Sequence, residues 1–388
     1  MASLLLPIIY LAFISLGLPD ALLGAVWPTM YPQLGAQVSW AGGVSMIISA
    51  CTILSALASD RLNERLGTGR VTAISVATTV AALFGFSFCH AFWQLCLWAI
   101  PYGLGAGSVD AALNNYVALH YKSRHMSWLH CMWGVGASLG PVIMGQALAG
   151  SGWQGGYRII GILQVVLTVV LLFSLPLWKL PQDAMGGEPF TPQHRSFPEL
   201  LKITGVPEVL VCFLCYCALE STAGMWASSY CTLVRGLDAQ TAASWASLFY
   251  LGITAGRFVS GFLTMKMSDR NMIRLGQVLI ALGILLVLLP AGNNVLFVGL
   301  ILIGLGCAPV YPCIIHETPV NFGRELSMSM TGLQMAFAYV GSCLAPPLFG
   351  LLAQNVTPRL YPWYLAVGLV VMVIMSESLH AKKAAEHR

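Results

Sequence analysis

Residues Pro101–Tyr121, PYGLGAGSVDAALNNYVALHY, form the segment around which the rest of the chain is organised. We predict that it forms one membrane-spanning helix, rich in glycine in its first half, with Asp110 well inside the apolar run. A charged side chain at bilayer depth costs roughly 2.5–3.5 kcal/mol on insertion scales, so it normally faces a bundle interior or an aqueous cavity. Asp110 is therefore a candidate functional residue, with Asn114 and Asn115 close behind it.

Composition places the whole chain in the membrane. Hydrophobic residues make up 57% of the 388 residues and charged residues 9%, and the mean hydropathy is +0.76. A soluble domain carries about a quarter charged residues, so the chain is predicted to be an all-α polytopic membrane protein in contact with the lipid bilayer. The net charge of +4 is small and scattered, which indicates no nucleic-acid partner.

Sequence motifs for enzymes, metals and cofactors are not found in a credible context. The chain carries no phosphate-binding loop, HExxH pair or nucleophile elbow of that kind. Cys212, Cys215 and Cys217 have metal-like spacing, but they lie in an apolar span without a neighbouring histidine. Helix packing is the better interpretation. We therefore expect neither catalysis nor a cofactor.

Apolar runs separated by short polar turns predict twelve spans of about 20 residues or more. The longest polar segment, residues 179–205, is rich in Pro, Gly and charge and is interpreted as a linker. The chain then divides into a six-helix bundle at 1–178 and another at 206–388. The spans are predicted at 4–32, 38–58, 71–89, 93–120, 127–149, 154–178, 206–234, 240–264, 271–290, 294–316, 325–354 and 359–379.

The basic residues predict the orientation of these spans. Of the 19 Lys and Arg, all but Arg158, Arg235, Arg257 and Arg359 fall on one side of the predicted membrane. Because cytoplasmic loops carry the excess of Lys and Arg, both termini and the linker are expected in the cytoplasm.

The two halves repeat. GLGAGSVD at 103–110 corresponds to GLGCAPVY at 304–311, and LGP at 139–141 corresponds to LAP at 344–346. A parallel repeat of this kind predicts a substrate site between the halves, near the middle of the membrane.

This plan resembles the major facilitator superfamily. SALASDRLNERLGTGR at 55–70 is similar to the loop motif of that family, with GITAGRFVSG at 252–261 as its counterpart in the second half. The motif departs from the pattern at Ser55 and Ser59, where glycine is usual, and in having one basic residue after Gly69. The resemblance implies twelve transmembrane helices in two six-helix bundles and the transport of small molecules.

Within that family, GLPDALLGAVWP at 17–28 and HCMWGVGASLGP at 130–141 look like the branch of the fucose and hexose proton symporters. That branch uses one acidic residue on the first span and one on the fourth, which correspond here to Asp20 and Asp110. Glu220, midway along the seventh span, is a third candidate for proton coupling. We expect these acids to titrate, because no Lys or Arg within a span pairs with them in an obvious way.

Sugar sites combine amides, hydroxyl partners and an aromatic surface. Asp20 and Trp27 lie on one face of the first span, which suits such a site. Each candidate taken alone is more often a packing residue. The substrate-binding candidates are Trp27, Asn114, Asn115, His130, Trp133, Gln146, Trp226, Tyr311, Gln334 and Tyr339.

Gate residues are predicted at the cytoplasmic side. The family resemblance implies that Asp60, Arg61 and Arg257 latch this side through charge pairs and helix ends. His316 and Glu317 end the tenth span, where such a pair is more often interfacial than functional.

The expected function is proton-coupled import of a small neutral polar substrate, a hexose or deoxyhexose, by a monomer in the cell membrane. The alternative is a proton-driven exporter of drugs or other amphiphiles, because GASLGPVIMG at 136–145 resembles the glycine-proline motif of antiporters. Close helix packing explains that motif equally well. Sodium coupling stays open, because a carboxylate with amide oxygens also binds that ion.

Overall fold

The computed structural model describes residues 2–20, 22–36, 40–148, 150–179, 195–237, 239–290 and 292–386. Most of the predicted linker, residues 180–194, lies outside the described residues. All regular secondary structure in the described part is helical. Twelve helices there have 19 or more residues.

The first half contains seven helices in the described residues. The described residues of the first predicted span form α1, which contains Pro7 and Pro19, and α2. The bounds are α1 Ala2–Asp20, α2 Leu22–Gln33, α3 Ala41–Leu66, α4 Thr68–Ser87, α5 Phe92–His120, α6 Ser123–Leu148 and α7 Gly152–Ser174, followed by a 3-10 turn at Leu175–Lys179.

The second half begins with a single helical turn capped by Ser196 and Glu199. Two further short elements, α13 and a 3-10 turn at Pro358–Leu360, connect longer helices. The bounds are α8 Phe197–Leu200, α9 Val206–Leu233, α10 Ala239–Leu263, α11 Asp269–Leu288, α12 Asn293–His316, α13 Thr318–Phe322, α14 Ser327–Asn355 and α15 Tyr361–Glu386.

Eight stretches in the described residues are long and apolar enough to cross a membrane, and Leu4–Asp20 and Leu248–Leu263 are shorter apolar helices. Helix α5 has the length but carries Asp110, Asn114 and Asn115, all of them buried. The polar content of α5 therefore points inward. By contrast, α7 presents large apolar side chains such as Phe173 and Val166 on its outer surface, as a lipid-facing helix does.

The described helices belong to two compact units. The first unit comprises Met1–His120, Leu129–His194 and Arg324–Gly332, and the second comprises Tyr121–Trp128, Arg195–Gly323 and Leu333–Arg388. The division passes through α6 after Trp128 and through α14 after Gly332. The first turn of α6 therefore belongs to the second unit, and the rest of α6 belongs to the first. For α14 the reverse holds: its first turn belongs to the first unit and the rest to the second.

The repeated Gly-Leu-Gly sequence has the same packing role in each unit. A Cβ at Gly103 would lie 2.4 Å from the carbonyl oxygen of Ile48 on α3, and one at Gly105 would lie 2.7 Å from that of Ser75 on α4. In the second unit, a Cβ at Gly304 would lie 2.1 Å from the Phe249 carbonyl oxygen on α10. Likewise, Gly306 meets the backbone of α11. Small residues let these helices approach at the backbone.

The glycine-rich start of 136–145 packs α6 directly on α1. A Cβ at Gly136 would lie 2.0 Å from the carbonyl oxygen of Ile14, and one at Gly140 would lie 2.0 Å from that of Leu18. From the other side, a Cβ at Gly17 would lie 2.1 Å from the Trp133 carbonyl oxygen. Close packing thus accounts for these glycines without an antiporter role.

Gly136→Ala is expected to destabilise the protein, because the added methyl group forces α1 and α6 apart. Overpacking typically costs about 1–3 kcal/mol, so the thermal unfolding midpoint of the purified protein in detergent should fall. The matched control is Gly43→Ala on α3, where a Cβ meets nothing within 4 Å. Equal midpoints for the two variants would contradict the close contact.

Candidate functional site

Asp20, at the end of α1, is held by two neutral donors. The Tyr102 hydroxyl donates to Oδ1 at 3.0 Å, and the Trp133 indole Nε1 donates to Oδ2 at 2.8 Å. The two donors lie on two neighbouring helices, Tyr102 on α5 and Trp133 on α6, and the Asp20 side chain is still exposed. Within the described residues, no Lys or Arg lies at ion-pair distance from Asp20. The two donors found for its carboxylate in this part of the chain are therefore a phenol and an indole, both of them neutral.

Tyr102 is the member of this group that the sequence analysis missed. It is buried on α5, two turns before Asp110. A tyrosine in an apolar helix usually needs a partner for its hydroxyl. Tyr102 lies within residues 101–121, the glycine-rich segment with which the sequence analysis begins. That was the available signal, but only the packing of α5 beside α1 identifies Asp20 as the partner.

A small cavity borders Tyr102 in the first unit. Its polar wall contains Gln164, whose Nε2 donates to the Ser15 carbonyl oxygen at 2.6 Å and whose Oε1 accepts from Thr79 at 3.0 Å. The volume of the cavity, taken as the space open to the centre of a water molecule, is about 10 Å³. Sites for drug-sized ligands occupy about 300–1,000 Å³. This cavity therefore has room for about one water molecule and is too small for a sugar. Its lining residues are Ala12, Ser15, Leu16, Pro19, Val76, Thr79, Tyr102, Val109 and Gln164.

Asp110, Asn114 and His130 form a buried chain of hydrogen bonds. The Asn114 amide Nδ2 donates to Asp110 Oδ1 at 2.7 Å and to the Asp110 carbonyl oxygen at 2.9 Å. The Asn114 Oδ1 lies 2.9 Å from Nε2 of His130. An amide oxygen only accepts, so Nε2 of His130 carries the hydrogen in this arrangement. The three side chains are 5% exposed or less.

The His130 ring also contacts Phe13 on α1, edge to face with centroids 5.4 Å apart. Helices α1, α5 and α6 therefore meet at this chain. The structure brings together three residues that the sequence analysis named separately, one for proton coupling and two for substrate binding.

Asn115 lies apart from this chain, although it follows Asn114 directly. Its Oδ1 accepts from the Ser327 hydroxyl at 2.6 Å, at the start of α14. Asp60, a predicted gate residue, contacts the same turn, because its Oδ2 accepts from Ser329 at 2.8 Å. Its neighbour Arg61 is exposed and donates its backbone amide to Asp60 Oδ1 at 2.6 Å.

In the second unit, Glu220 on α9 pairs with Arg257 on α10. The Arg257 Nη2 lies 3.2 Å from Glu220 Oε1, and the two side chains are 5% and 21% exposed. The expectation that no basic residue within a span pairs with Glu220 is therefore wrong. Arg257 also does not share a unit with Asp60 and Arg61. The spacing could not reveal this pair, because 37 residues separate its members.

Aromatic side chains lie beside this ion pair. Tyr216, one turn before Glu220, donates its hydroxyl to the Cys307 carbonyl oxygen at 2.9 Å. Tyr311, a predicted substrate residue, packs against Phe213 with ring centroids 4.7 Å apart and against Tyr216 at 6.1 Å. The Tyr311 hydroxyl lies 3.0 Å from the sulfur of Met335. The structure therefore places Tyr311 with the ion pair, in the second unit.

Two further candidates on α9 and α14 have packing partners. The Trp226 Nε1 donates to the Pro346 carbonyl oxygen at 3.0 Å, and its ring packs edge to face on Phe349 at 5.2 Å. Gln334 is fully buried, and its Oε1 accepts from the Thr318 hydroxyl at 2.8 Å. Trp226 therefore has a packing role, whereas Gln334 is only half satisfied, because its Nε2 has no hydrogen-bond partner among the described residues.

The remaining candidates are spread over other faces. Tyr339 is half-buried on α14, and Gln146 is exposed near the end of α6. Trp27 belongs to α2, and its side chain lies outside the described part of the structure.

Comparison with known proteins identifies the family. Residues 9–246 and 235–386 match the model of the Major Facilitator Superfamily. The chain belongs to this superfamily. It is a multi-pass membrane protein and a transporter that binds its small-molecule substrate within the membrane. The prediction of an all-α major facilitator fold is confirmed.

Solved structures of this fold match nearly the whole chain. One is FucP, a major facilitator transporter captured in the outward conformation, with a TM-score of 0.78, 14% identity, and 96% of this chain and 97% of that chain covered. A second FucP structure, of the E. coli fucose:proton symporter, gives a TM-score of 0.73 at 16% identity, with 97% of each chain covered. The human organic anion transporter MFSD10 gives 0.75 at 14% identity, covering 96% and 98%.

A similar relative by sequence is the uncharacterized transporter y4wD of Sinorhizobium fredii. It is 24% identical over 355 residues, which cover 86% of each chain. These three structures share less than 25% sequence identity with the chain, so their similarity shows the fold alone. The substrate has to be argued from the residues.

Asn114→Ala is expected to lower stability by about 1–3 kcal/mol, because a buried carboxyl and a buried imidazole lose a partner. The measurement is the thermal unfolding midpoint in detergent. The matched control is Asn355→Ala, whose exposed amide donates only to the Leu351 carbonyl oxygen at 2.9 Å. A control that falls as far as Asn114→Ala would argue against the bridging role.

Removing one member of the Glu220–Arg257 pair should cost about 3–5 kcal/mol, because the other charge stays buried. The double variant Glu220→Gln/Arg257→Met should be more stable than either single variant. The control is Glu377→Gln, which removes a carboxylate paired with Arg274. In that pair the Glu377 side chain is 38% exposed and the Arg274 side chain 45%. That exposed pair should contribute about 0–1 kcal/mol. Additive effects at positions 220 and 257 would refute the coupling.

Proposed function

We propose that this transporter couples the uptake of a small neutral polar substrate, most concretely a hexose or deoxyhexose, to an inward flow of protons. The observation that carries the proposal is Asp20: a carboxylate held by Tyr102 and Trp133, with no Lys or Arg of the described residues at ion-pair distance. An acid in this setting can gain and lose a proton without breaking an ion pair.

The three intramembrane acids differ in how freely they can titrate. Glu220 is bound to Arg257 at 3.2 Å, so a proton could bind its carboxylate only at the expense of this ion pair. Asp110 is bound to the neutral amide of Asn114 at 2.7 Å. The two neutral donors support Asp20 as a coupling residue, and the buried position of Asp110 beside Asn114 supports it as a second one. Glu220 is supported as a structural or substrate-facing charge instead.

The surroundings of Asp20 suit a hydroxylated substrate. An ionised carboxylate accepts from donors only, and the Tyr102 hydroxyl and the Trp133 indole already show which donors it takes. A sugar hydroxyl is a donor of the same kind. The indole of Trp133 also supplies an apolar surface for the C–H face of a sugar ring. FucP, which shares this fold, is a fucose:proton symporter, and its substrate agrees with this chemistry.

Transport would proceed by alternating access in the cell membrane, with the protein working as a monomer. Protonation of Asp20 or Asp110 would favour loading from outside, and both proton and substrate would leave on the inside. We place Asp110 as the more protected proton site, because Asn114 and His130 enclose it, and Asp20 as the site that also contacts substrate.

The test is uptake of labelled glucose and fucose into proteoliposomes with and without an inward proton gradient. We expect accumulation only with the gradient. Asp110→Asn should abolish accumulation and retain counterflow exchange, because it removes the titrating group and keeps a polar side chain. Asp20→Asn should abolish accumulation and also raise the KM for counterflow, because its carboxylate contacts substrate.

The matched control is Glu64→Gln, which neutralises an exposed carboxylate on α3 and should leave both assays unchanged. Accumulation that ignores the proton gradient would refute proton symport. Proton-driven loss of a loaded amphiphilic drug, with no sugar exchange, would replace the proposal by the exporter alternative.

A further inference from the structure

The junction between α5 and α6 is held by a histidine from the end of α12. The Nδ1 of His316 lies 2.6 Å from Asp269 Oδ2, and its Nε2 lies 3.1 Å from the carbonyl oxygen of Tyr121. The hydroxyl of Ser123, the first residue of α6, donates to the other oxygen of Asp269. His316 and Asp269 are 17% and 13% exposed, so water screens these contacts poorly.

These hydrogen bonds require an additional proton. A backbone carbonyl oxygen only accepts, so Nε2 of His316 must carry a hydrogen. An ionised carboxylate also only accepts, so Nδ1 must carry a second hydrogen, or else Asp269 itself is protonated and donates to Nδ1. In both cases the pair holds one proton more than a neutral imidazole beside an ionised carboxylate.

We propose that His316 and Asp269 form a regulatory protonation site that clasps Tyr121–Trp128 onto the second unit and releases its first turn when the proton leaves. The site is separate from Asp20 and Asp110, and it does not depend on which substrate is carried or on which ion drives transport. After deprotonation a ring lone pair would face either the Tyr121 carbonyl or the Asp269 carboxylate. Either arrangement loses a hydrogen bond and adds repulsion.

The repeat provides an internal comparison. His316 follows Gly304 at the same distance in sequence as Asn115 follows Gly103, so the two residues occupy equivalent positions. Asn115 makes the equivalent clasp in the first unit, because its Oδ1 accepts from Ser327, the first residue of α14. An amide does not titrate in the physiological range. The first unit therefore has a neutral clasp and the second a proton-dependent one.

Other titratable groups surround the site. Asp269 on α11 and Glu317, which follows His316, both stabilise an imidazolium electrostatically. His125 on α6 opposes it when protonated. Arg270 balances Glu317, and the Cys313 thiol lies near Asp269. Of these groups, Asp269 is the one with a carboxyl oxygen at hydrogen-bond distance from the imidazole, at 2.6 Å from Nδ1.

A second contact limits how far the segment is released. The Trp128 Nε1 donates to the Phe258 carbonyl oxygen at 3.3 Å, and its ring packs on Phe262 with centroids 5.4 Å apart. A Cβ at Gly261 would lie 2.0 Å from that Nε1, so Trp128 is seated directly on the backbone of α10. Loss of the proton should therefore loosen the turn near Tyr121 and Ser123 while Trp128 stays in place.

The test is hydrogen–deuterium exchange of the protein in nanodiscs across the pH range in which histidine titrates, near a pH of about 6.5. Each rate is divided by that of an unstructured peptide at the same pH. Protection of amides in 121–126 should fall as pH rises, by up to about tenfold per pH unit, because release of one proton accompanies opening. Protection in 324–332 should stay constant, because Asn115 does not titrate.

Two variants that swap the residues at the two equivalent positions make the result decisive. His316→Asn should make protection in 121–126 independent of pH, and Asn115→His should make protection in 324–332 depend on pH. Trp128→Ala should lower protection at every pH and keep the pH dependence of 121–126.

A wild-type response that is flat with pH would overturn the proposal, as would an unchanged response in His316→Asn. If His316→Asn does not fold, the wild-type profile and Asn115→His still decide the question. The exchange measurement uses no substrate, so it is independent of the uptake assays, and either proposal can fail alone.

Discussion

Backbone-to-backbone contact at glycine is the constraint on which the rest of this structure depends. Gly103 and Gly105 bring α5 against α3 and α4, and Gly136 brings α6 against α1. The contact between α6 and α1 accompanies the hydrogen bond from the Trp133 indole to the carboxylate of Asp20. In a membrane, where helix association gains little from the hydrophobic effect, such contacts supply the dispersion energy and position the polar groups.

Each acid inside the membrane is satisfied by a different chemistry. Asp20 uses two neutral donors at an exposed position, Asp110 uses the amide of Asn114 in a buried one, and Glu220 uses the guanidinium of Arg257. These differences separate acids with neutral hydrogen-bond donors from one that would have to break an ion pair before it took up a proton. Proton coupling therefore belongs to the first unit in our proposal, and the second unit supplies a fixed charge pair beside Tyr216 and Tyr311.

The repeat is preserved in packing and altered in chemistry. The Gly-Leu-Gly sequences seat α5 and α12 on their neighbours in the same way. At equivalent positions after them, however, Asn115 binds Ser327 through an amide, and His316 binds Tyr121 and Asp269 through an imidazole that needs a proton. A duplicated scaffold can thus keep its helix contacts while one copy acquires sensitivity to pH, because a clasp needs only a polar group of suitable length.

The sequence by itself determined the helical spans, the family and the candidacy of Asp20 and Asp110, because hydropathy, glycine spacing and a carboxylate in an apolar run are local properties. Partners were decided by tertiary structure alone. Tyr102 lies 82 residues from Asp20, and Arg257 lies 37 from Glu220, so no spacing rule links them. Whether an intramembrane acid titrates depends on the group opposite it across a helix interface, and only helix packing selects that group.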